Sequence, residues 1–305
     1  MLRKLTASVL AAALLATGAP AAAEAKARPK APAGVSATSA ILYDSTAKKT
    51  LWKRNVNKRM PVGSMNKVAL ALVVIKAGHL KTPITIRQKY KDWVDGWGAS
   101  QSHLVPGDRL SAYQLLQATL VESGCDAAYA LADAYGGSAG YLGSLAKMNA
   151  LARKLGMRNT HYASFDGTPA KNDYTTAADQ LKLARYAMKS ATFRSIVKIV
   201  KKDFRSLNGR VYKLRTSNLL LKNSGSTEDN SGYPGVYGIK TGSTGNAGGC
   251  FMFVARRKKH TVYGVVLRSS STITRFQDAA KMLNWAYGTR NAVTLTPPPP
   301  REANG

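Results

Sequence analysis

The sequence predicts an α/β (α+β) fold, in which an antiparallel sheet from the N- and C-terminal parts is flanked by helices and carries an inserted, mainly helical subdomain. Three observations support this class. Strand-like alternation lies near both ends of the chain, and the middle has helical spacing almost throughout. The 305 residues, 45% of them apolar, can bury one core of catalytic size.

The N-terminal residues are expected to precede the folded domain. Residues 1–25 combine Leu2-Arg3-Lys4 with an apolar run and Ala-rich sequence, which is the pattern of a secretory signal peptide. The apolar run is much shorter than the roughly 20 residues that span a bilayer, which disfavours a membrane anchor. A Pro/Ala-rich linker is predicted over residues 26–38, a catalytic domain over 39–290 and a Pro-rich tail over 291–305.

The first elements of this domain are predicted to be a hairpin and a buried helix. ILYD (41–44) and TLWK (50–53) flank a polar turn, as the two strands of a hairpin do. A strongly apolar helix then begins at Val68 and ends at Gly78, because glycine favours helix termination.

The middle of the chain is predicted to be helical. Apolar residues recur at helical spacing from Ser111 to Leu155, and a further helix is predicted from Thr176 to Met188. These helices form the inserted subdomain.

The last third changes to strand periodicity. Asn208-Gly209 lies between two alternating runs, which predicts a hairpin. The strand GVYGIKTG (235–242) is followed by a second hairpin, in which CFMFVA and TVYGVV flank the basic turn RRKKH (256–260). A helix from Ile273 to Tyr287 completes the domain.

Composition restricts the classes of function. The chain has 45 Lys and Arg against 16 Asp and Glu, a net charge of +29. In an exported protein this charge indicates anionic wall polymers or a membrane surface as partners, and the basic runs have too few aromatic residues for stacking on nucleic-acid bases. We expect a secreted or periplasmic protein, associated with the wall by charge. Scattered histidines and the lack of a Cys-x-x-Cys pair predict neither metal nor cofactor.

A reactive serine needs a base, and Ser-x-x-Lys places an amine on the same helix face as the hydroxyl. This spacing begins at Ser45, Ser64, Ser144 and Ser195. Only Ser64 stands at the start of a buried helix, where backbone N–H groups stabilise an oxyanion. The Gly-x-Ser-x-Gly run at 136–140 joins two helices, so capping by its glycines and serine explains it without chemistry.

Three motifs occur in a specific order: Ser64-Met65-Asn66-Lys67, Ser123-Gly124-Cys125 and Lys240-Thr241-Gly242. With the flanking PVGSMNK, LVPGDRLSAYQLLQATLVESGCDAAYALAD, FDGTP and GVYGIKTG, they resemble the D-alanyl-D-alanine carboxypeptidase family, the low-molecular-weight penicillin-binding proteins. The resemblance covers Ile41 to Tyr287 and implies a β-lactamase/transpeptidase-like fold. The Ser-Gly-Cys motif is similar to that of small DD-transpeptidases in this family.

The resemblance implies a serine enzyme that cleaves the terminal D-Ala of peptidoglycan stem peptides through an acyl-enzyme and is inhibited by β-lactams. It implies Ser64 as the nucleophile, Lys67 as its proton acceptor and Ser123 as a proton carrier toward the leaving group. The residues that it implies for substrate binding are Lys240, Thr241, Gly242, Ser243 and Cys125, with the N–H groups of Ser64 and Ser243 as the oxyanion hole.

Two positions depart from the family pattern: Asn66, where Thr is usual, and Cys125, where Asn is usual. A thiol is only a weak donor and acceptor, so Cys125 predicts a different acylation rate or choice of acceptor. Three interpretations of Cys125 stay open. It fills the Asn position, forms a disulfide with Cys250, which the resemblance places across the cleft, or acts as a thiolate nucleophile.

One alternative motif and three alternative functions also stay open. Ser206-Leu207-Asn208 contains the usual Asn but lies in a predicted hairpin turn. A class A β-lactamase needs a deacylating carboxylate, and no Glu lies in the segment where that base is expected, while Asp166 fits an Asp-Gly turn. A DD-transpeptidase would pass the acyl group to an amine, and a catalytically impaired, basic wall-binding protein would keep only the fold.

Overall fold

The structure, a computed structural model, describes residues 30–222, 232–293 and 295. The strands of these residues are β1 (Ser39–Asp44), β2 (Lys49–Arg54), β3 (Pro83–Thr85), β4 (Arg109–Ser111), β5 (Lys201–Arg205), β6 (Val211–Arg215), β7 (Val236–Gly242), β8 (Gly249–Arg257) and β9 (His260–Ser269). The helices are α1 (Lys67–Ala77), α2 (Gln88–Trp97), α3 (Ala112–Gln117), α4 (Cys125–Tyr135), α5 (Tyr141–Lys154), α6 (Ala177–Ala187), α7 (Ala191–Val197) and α8 (Thr274–Tyr287).

The main sheet has five antiparallel strands in the order β2-β1-β9-β8-β7. The N-terminal hairpin joins the C-terminal strands through β1 and β9, where Leu42 is paired with Gly264. This pairing confirms the predicted fold class, because residues more than 200 positions apart in sequence form one sheet.

Helices cover both faces of this sheet, which explains why β8 is buried on both sides. Phe251 and Phe253 pack on the side of α8, whereas Met252 and Val254 pack on the side of α1 and the helical subdomain. The alternation of CFMFVA between two apolar cores therefore follows the two-residue period of a strand.

Helix α1 lies inside the larger core and packs against α4 and α5. Its first eight residues are all buried, and Gly78 follows its last residue in a positive-φ conformation. The predicted helix at 68–78 is thus confirmed, and its N-terminus is held firmly by the surrounding core.

Some local features differ from the predictions. Helix α2 and the small β3–β4 sheet were not predicted from the sequence. Ser138 makes no capping hydrogen bond, and α5 begins after Gly140, so the predicted capping role of this serine is wrong.

The packed chain extends beyond residues 39–290 at both ends. Within the predicted linker, Val35 and Ala37 are buried against α8, and the Ser36 hydroxyl donates to the Asp278 carboxylate at 2.8 Å. Leu295 packs against the same core. The predicted signal peptide and most of the predicted tail lie outside the described residues, and no described helix has the length and apolarity to span a bilayer.

The β5–β6 hairpin forms a separate two-stranded sheet. Ser206-Leu207-Asn208 lies in its turn, where the Asn208 side chain accepts a hydrogen bond from the backbone N–H of Arg109 at 2.7 Å. Leu207 is 60% exposed. This rival motif therefore has a structural role away from the cleft described next.

Candidate active site

The first motif lies where a 3₁₀ turn, Gly63–Asn66, leads into α1. Lys67 is the first residue of α1 and has no exposed surface. Its amine donates to the Ser64 hydroxyl at 2.8 Å. The three-residue spacing therefore brings these two side chains into contact, as the sequence predicted.

Close backbone packing surrounds Ser64. Gly63 has φ of 57°, and a Cβ at this position would lie 2.8 Å from the backbone N of Ser243. Gly167 has φ of 90°, and a Cβ there would lie 2.0 Å from the carbonyl carbon of Gly63. Only glycine permits this approach, which brings the backbones at Ser64 and Ser243 together on one side of the cleft.

The second motif follows a π-helical turn, Ala118–Glu122. Ser123 has φ of 72°, a left-handed conformation that is unfavourable for a residue with a side chain. The Ser100 hydroxyl stabilises it by donating to the Ser123 carbonyl at 2.7 Å. Helix α4 then begins at Cys125.

Cys125 lies beside the base of the first motif. The Lys67 amine donates to the Cys125 sulfur at 3.1 Å and to the Asp166 carbonyl at 2.8 Å, in addition to Ser64. Cys125 thus occupies a position where a side chain accepts a hydrogen bond from the Lys67 amine. Burial raises the pKa of its thiol, although the charge of Lys67 opposes this effect, and a neutral thiol argues against a thiolate nucleophile.

The two cysteines do not form a disulfide. Cys125 and Cys250 are both buried free thiols. Cys250 donates to the carbonyl of Ala247 at 3.4 Å, and burial raises its pKa to about 11. The disulfide interpretation is therefore wrong for this structure.

The third motif ends β7. The Lys240 amine, almost fully buried, donates to the Ser123 hydroxyl at 2.8 Å and to the Thr241 carbonyl at 3.0 Å. Burial lowers the pKa of Lys240 well below its ordinary value, and the charges of Lys67 and Arg275 lower it further. The second and third motifs therefore meet through one buried amine.

The Phe165-Asp166-Gly167 turn supplies the third acceptor for Lys67. The Asp166 carboxylate has no exposed surface and accepts hydrogen bonds from Ser164, Thr168 and Trp93. These bonds, at 2.8 to 2.9 Å, fix the turn whose carbonyl faces Lys67. Three of these bonds go to Oδ1 and one, from Trp93, goes to Oδ2, so the carboxylate has a structural role in this turn.

Asn66, one of the two departures from the family pattern, ties this turn to α1. Its side-chain amide donates to the Ser164 carbonyl at 3.0 Å and to the Asp173 carboxylate at 2.9 Å. Asp173 also accepts from the backbone N–H of Ala163 at 2.9 Å, and burial raises its pKa. The sequence identifies Asn66 as a departure from the family pattern, but no local pattern indicates its hydrogen-bond partner Asp173, 107 residues away.

The three motifs line one cleft of about 460 Å³. Several lining residues come from elements without a motif and were missed: Trp97, Ser100, Ser217, Thr244 and Arg275. The Ser217 hydroxyl is 2.7 Å from that of Thr241, and the Arg275 guanidinium donates to the Gly242 carbonyl at 3.0 Å. Burial lowers the pKa of Arg275 to about 10, so it stays protonated at neutral pH.

The arrangement is suited to acyl transfer. Each of two hydroxyls, on Ser64 and Ser123, has a lysine amine at 2.8 Å. One amine can take the proton of an attacking hydroxyl, and the other hydroxyl can carry a proton. Protonated Arg275 and the hydroxyls of Ser217 and Thr241 line the same cleft, so they can attract and hydrogen-bond an anion.

Comparisons with known proteins agree with this geometry. The sequence profile of the D-alanyl-D-alanine carboxypeptidase family matches residues 24–271. A D-alanyl-D-alanine carboxypeptidase of Streptomyces sp. is 37% identical over 244 residues, which are 78% of this chain and 82% of that protein. One of Mycobacterium tuberculosis is 31% identical over 255 residues, 81% of each chain.

A solved structure is similar as well. The crystal structure of a Streptomyces DD-transpeptidase superposes with a TM-score of 0.77 at 36% identity, and the match covers 83% of this chain and 98% of that one. These findings confirm the resemblance that the three ordered motifs indicated.

Proposed function

This chain belongs to the D-alanyl-D-alanine carboxypeptidase family, and we propose that it removes the terminal D-Ala of peptidoglycan stem peptides through an acyl-enzyme on Ser64. The observation that carries the proposal is the pair of 2.8 Å contacts in one cleft, Ser64 with Lys67 and Ser123 with Lys240. Acylation and release of the leaving group each need a proton transfer. Ser64 with Lys67 can supply the first transfer, and Ser123 with Lys240 can supply the second.

In the proposed acylation, the Ser64 oxygen attacks the carbonyl carbon between the two D-alanines. The Lys67 amine accepts the hydroxyl proton across their 2.8 Å contact. The oxyanion that forms accepts hydrogen bonds from the N–H groups of Ser64 and Ser243, whose backbones pack together through Gly63. The C–N bond then breaks, and the Ser123 hydroxyl delivers a proton to the leaving amine while it takes a proton from the Lys240 amine 2.8 Å away.

The terminal carboxylate of the substrate is proposed to bind at the end of the cleft that Thr241 and Arg275 line. Lys240 lies directly behind this end, and its charge favours an anion there. A Cβ at Gly242 would clash with the Val62 carbonyl oxygen, so glycine lets the end of β7 pack closely against the turn that carries Ser64. Cys125 lines the cleft beside Lys67, where it can border a bound acyl group.

Deacylation passes the acyl group to water or to an amine. The similar solved structure is a DD-transpeptidase, and Cys125 replaces the usual Asn, so transfer to an amine is a specific second candidate. A class A β-lactamase reaction is less well supported because the Asp166 carboxylate is buried and hydrogen-bonded to Trp93, Ser164 and Thr168. An inactive wall-binding protein is disfavoured because both hydroxyl–amine contacts are intact.

One experiment tests the proposal. The protein is incubated with an N-acylated peptide ending in D-Ala-D-Ala, with and without a glycine-based acceptor amine, and the products are separated by mass. Release of D-Ala and a shortened peptide supports hydrolysis, and a peptide joined to the amine supports transpeptidation. Absence of both products, with no penicillin adduct, contradicts the proposal and favours the wall-binding alternative.

We also propose that residues 1–25 direct export and that the net charge of +29 associates the protein with anionic wall polymers. Exposed acidic residues are few in the described part of the chain, where Asp92, Asp95 and Asp203 are the exposed carboxylates. Co-sedimentation with purified cell walls that decreases from 50 to 500 mM salt would support the electrostatic association.

A further inference from the structure

Helix α1 is apolar on every side but is not enclosed along its whole length. Its sequence, KVALALVVIKA, has lysine at the first and tenth positions and apolar residues elsewhere. A helix of this kind is normally buried all round. At its C-terminal end, however, Lys76 and Ala77 are exposed, and Leu72, Val73 and Ala77 border a surface pocket of about 370 Å³. This volume lies in the range of small-molecule sites.

Helix α5 forms a second wall of this α1–α5 pocket. Lys147, Ala150, Leu151 and Lys154 recur at helical spacing and so share one face of α5. Ala150 is exposed, and its small side chain leaves the pocket open between the two lysines. Tyr186, near the end of α6, completes the lining. The pocket therefore lies in the groove between two helices that pack against each other.

The charged groups of the α1–α5 pocket are all cationic. Its nine lining residues belong to the described part of the chain, and among them three are lysines, six are apolar or aromatic and none is acidic. Lys76, Lys147 and Lys154 are exposed, and lysine stems pack along apolar surface while their amines stay at the rim. The Lys147 amine donates to the Tyr135 carbonyl, which holds this lysine beside α4.

Further cations lie next to the pocket. The adjoining pocket shares Tyr186 and is lined by Lys182, Arg185 and Lys189, again with no acidic residue among those described. Lys182 pairs with Asp179 at 2.8 Å, so this charge is balanced within the protein. The charges of Arg185 and Lys189 add to those of the three pocket lysines and favour an anion at this face.

The combination favours an alkyl chain that ends in an anionic head group. A bound peptide would bury amide groups that need hydrogen-bond partners. Among the described side chains that line the pocket, only the lysine amines and the Tyr186 hydroxyl can form hydrogen bonds. An alkyl chain needs no such partner, and lysine amines at the rim can pair with a phosphate or a carboxylate.

We propose that the α1–α5 pocket binds a single alkyl chain with an anionic head group. The chain lies in the groove between the two helices, and the head group lies among Lys76, Lys147 and Lys154. The pocket shares no lining residue with the active-site cleft, so this inference is independent of the proposed function. Free amphiphiles and bilayer lipids both have this chemistry, and the experiment below separates the two sources.

Calorimetric titration with alkyl phosphates, below their micelle concentrations, tests the buried chain. Each buried methylene group strengthens binding about 4-fold, so decyl phosphate is expected to bind the wild-type protein about 15-fold more tightly than octyl phosphate. Uncharged decanol is expected to bind more weakly than decyl phosphate, and cationic decyltrimethylammonium more weakly still. Equal affinities for the two phosphates, or for the three decyl compounds, would overturn the proposal.

Filling the pocket tests its location. Ala150→Phe places a ring between the two lysines of α5 and is expected to weaken decyl phosphate binding by about 10-fold or more. Ala77→Phe fills the pocket from α1 and is expected to have the same effect. Ala146→Phe is the matched control, because Ala146 is exposed one turn earlier on α5 and does not line the pocket. Circular dichroism and Tm show that each variant is folded.

Removing charge tests the head group. The double substitution of Lys76→Gln and Lys154→Gln is expected to abolish the preference for decyl phosphate over decanol. The double substitution of Lys201→Gln and Lys202→Gln lowers the net charge equally at exposed positions of β5 and is expected to keep the preference.

Sedimentation with phosphatidylglycerol vesicles identifies the source of the ligand. Binding that is lost in Ala150→Phe assigns a bilayer lipid, and equal binding by the wild type and this variant assigns a free amphiphile. Wild-type affinity for decyl phosphate in both folded pocket variants, Ala150→Phe and Ala77→Phe, would show that the pocket is not the site.

Discussion

Replacing Asn66 with alanine tests whether the turn that faces Lys67 is held by this side chain. Asn66 is 1% exposed, and its amide donates to the Ser164 carbonyl and the Asp173 carboxylate. The bond to the Ser164 carbonyl contributes about 0.5–1.5 kcal/mol to the free energy of unfolding, and the bond to the Asp173 carboxylate about 1.5–3 kcal/mol. Losing both lowers the free energy of unfolding by about 2–4.5 kcal/mol. A domain of this size loses about 2–4 °C in Tm per kcal/mol, so Tm is expected to fall by about 4–18 °C.

Catalysis is expected to suffer in addition to stability. The Asp166 carbonyl, 2.8 Å from the Lys67 amine, belongs to the turn that Asn66 holds through Ser164. Acylation by benzylpenicillin, followed by stopped-flow at a temperature where the variant is fully folded, is therefore expected to be slower in Asn66→Ala. Asn66→Thr keeps a hydroxyl donor and is expected to fall between the alanine variant and the wild type.

Asn149→Ala provides the matched control. Its amide donates to the Tyr162 carbonyl at 2.8 Å and accepts from the Tyr162 N–H at 2.9 Å, and Asn149 does not line the cleft. It is expected to lower Tm and leave the acylation rate of the folded protein unchanged. If Asn66→Ala unfolds at the wild-type Tm, or if Asn66→Ala and Asn149→Ala are acylated at equal rates, the proposed role of Asn66 in holding the turn is wrong.

Further predictions concern the cysteine and the buried lysine. Cys125→Asn gives Lys67 a stronger hydrogen-bond acceptor. One net hydrogen bond of about 0.5–1.5 kcal/mol is expected to raise the benzylpenicillin acylation rate about 2- to 13-fold. An unchanged rate would contradict a role of this side chain in holding Lys67. Because Cys125 and Cys250 are buried free thiols, iodoacetamide is expected to alkylate both rapidly only after the protein is denatured. A mass that shows a disulfide between the two cysteines would contradict this prediction. Burial and neighbouring cations lower the pKa of Lys240, so its positive charge is lost as pH rises through that lowered value. The kcat/KM for D-Ala release is therefore expected to fall at a pH below the ordinary lysine pKa of about 10.4. Lys240→Arg should move this fall to higher pH, and an unmoved limb would exclude Lys240 as its source.

The main sheet was predictable because its strands keep a two-residue period and its hairpins have clear turns. Phe251 and Phe253 alternate with Met252 and Val254, and both sets are apolar because helices cover both faces. Helix α2 was not predicted, since only Tyr90 and Val94 of its ten residues are buried and Gly96 lies near its end.

The candidate site was predictable where chemistry is written in short local motifs. Ser64 and Lys67 are three residues apart, so their contact follows from local geometry. Arg275 and Ser217 reach the cleft as single residues from separate elements, and nothing in their local sequence distinguishes them from other arginines and serines. The Asn66–Asp173 contact depends on a loop path that the sequence alone does not define.

Cys125 shows how the structure refines a motif. The sequence left open whether its thiol bridges, oxidises or attacks. In the structure it accepts from Lys67 at 3.1 Å while Ser64 lies 2.8 Å from the same amine. A buried thiol with a raised pKa is a weak nucleophile, whereas Ser64 has the amine and the glycine-flanked backbone that an acyl-enzyme needs.

The most direct measurement of the central claim is the site of the penicillin adduct. Intact-mass and peptide-mapping mass spectrometry are applied to the wild type, Ser64→Ala and Cys125→Ala after incubation with benzylpenicillin. We expect one adduct per chain on the peptide containing Ser64, retained in Cys125→Ala and absent in Ser64→Ala. An adduct that maps to Cys125, or one that survives in Ser64→Ala, would contradict the serine mechanism.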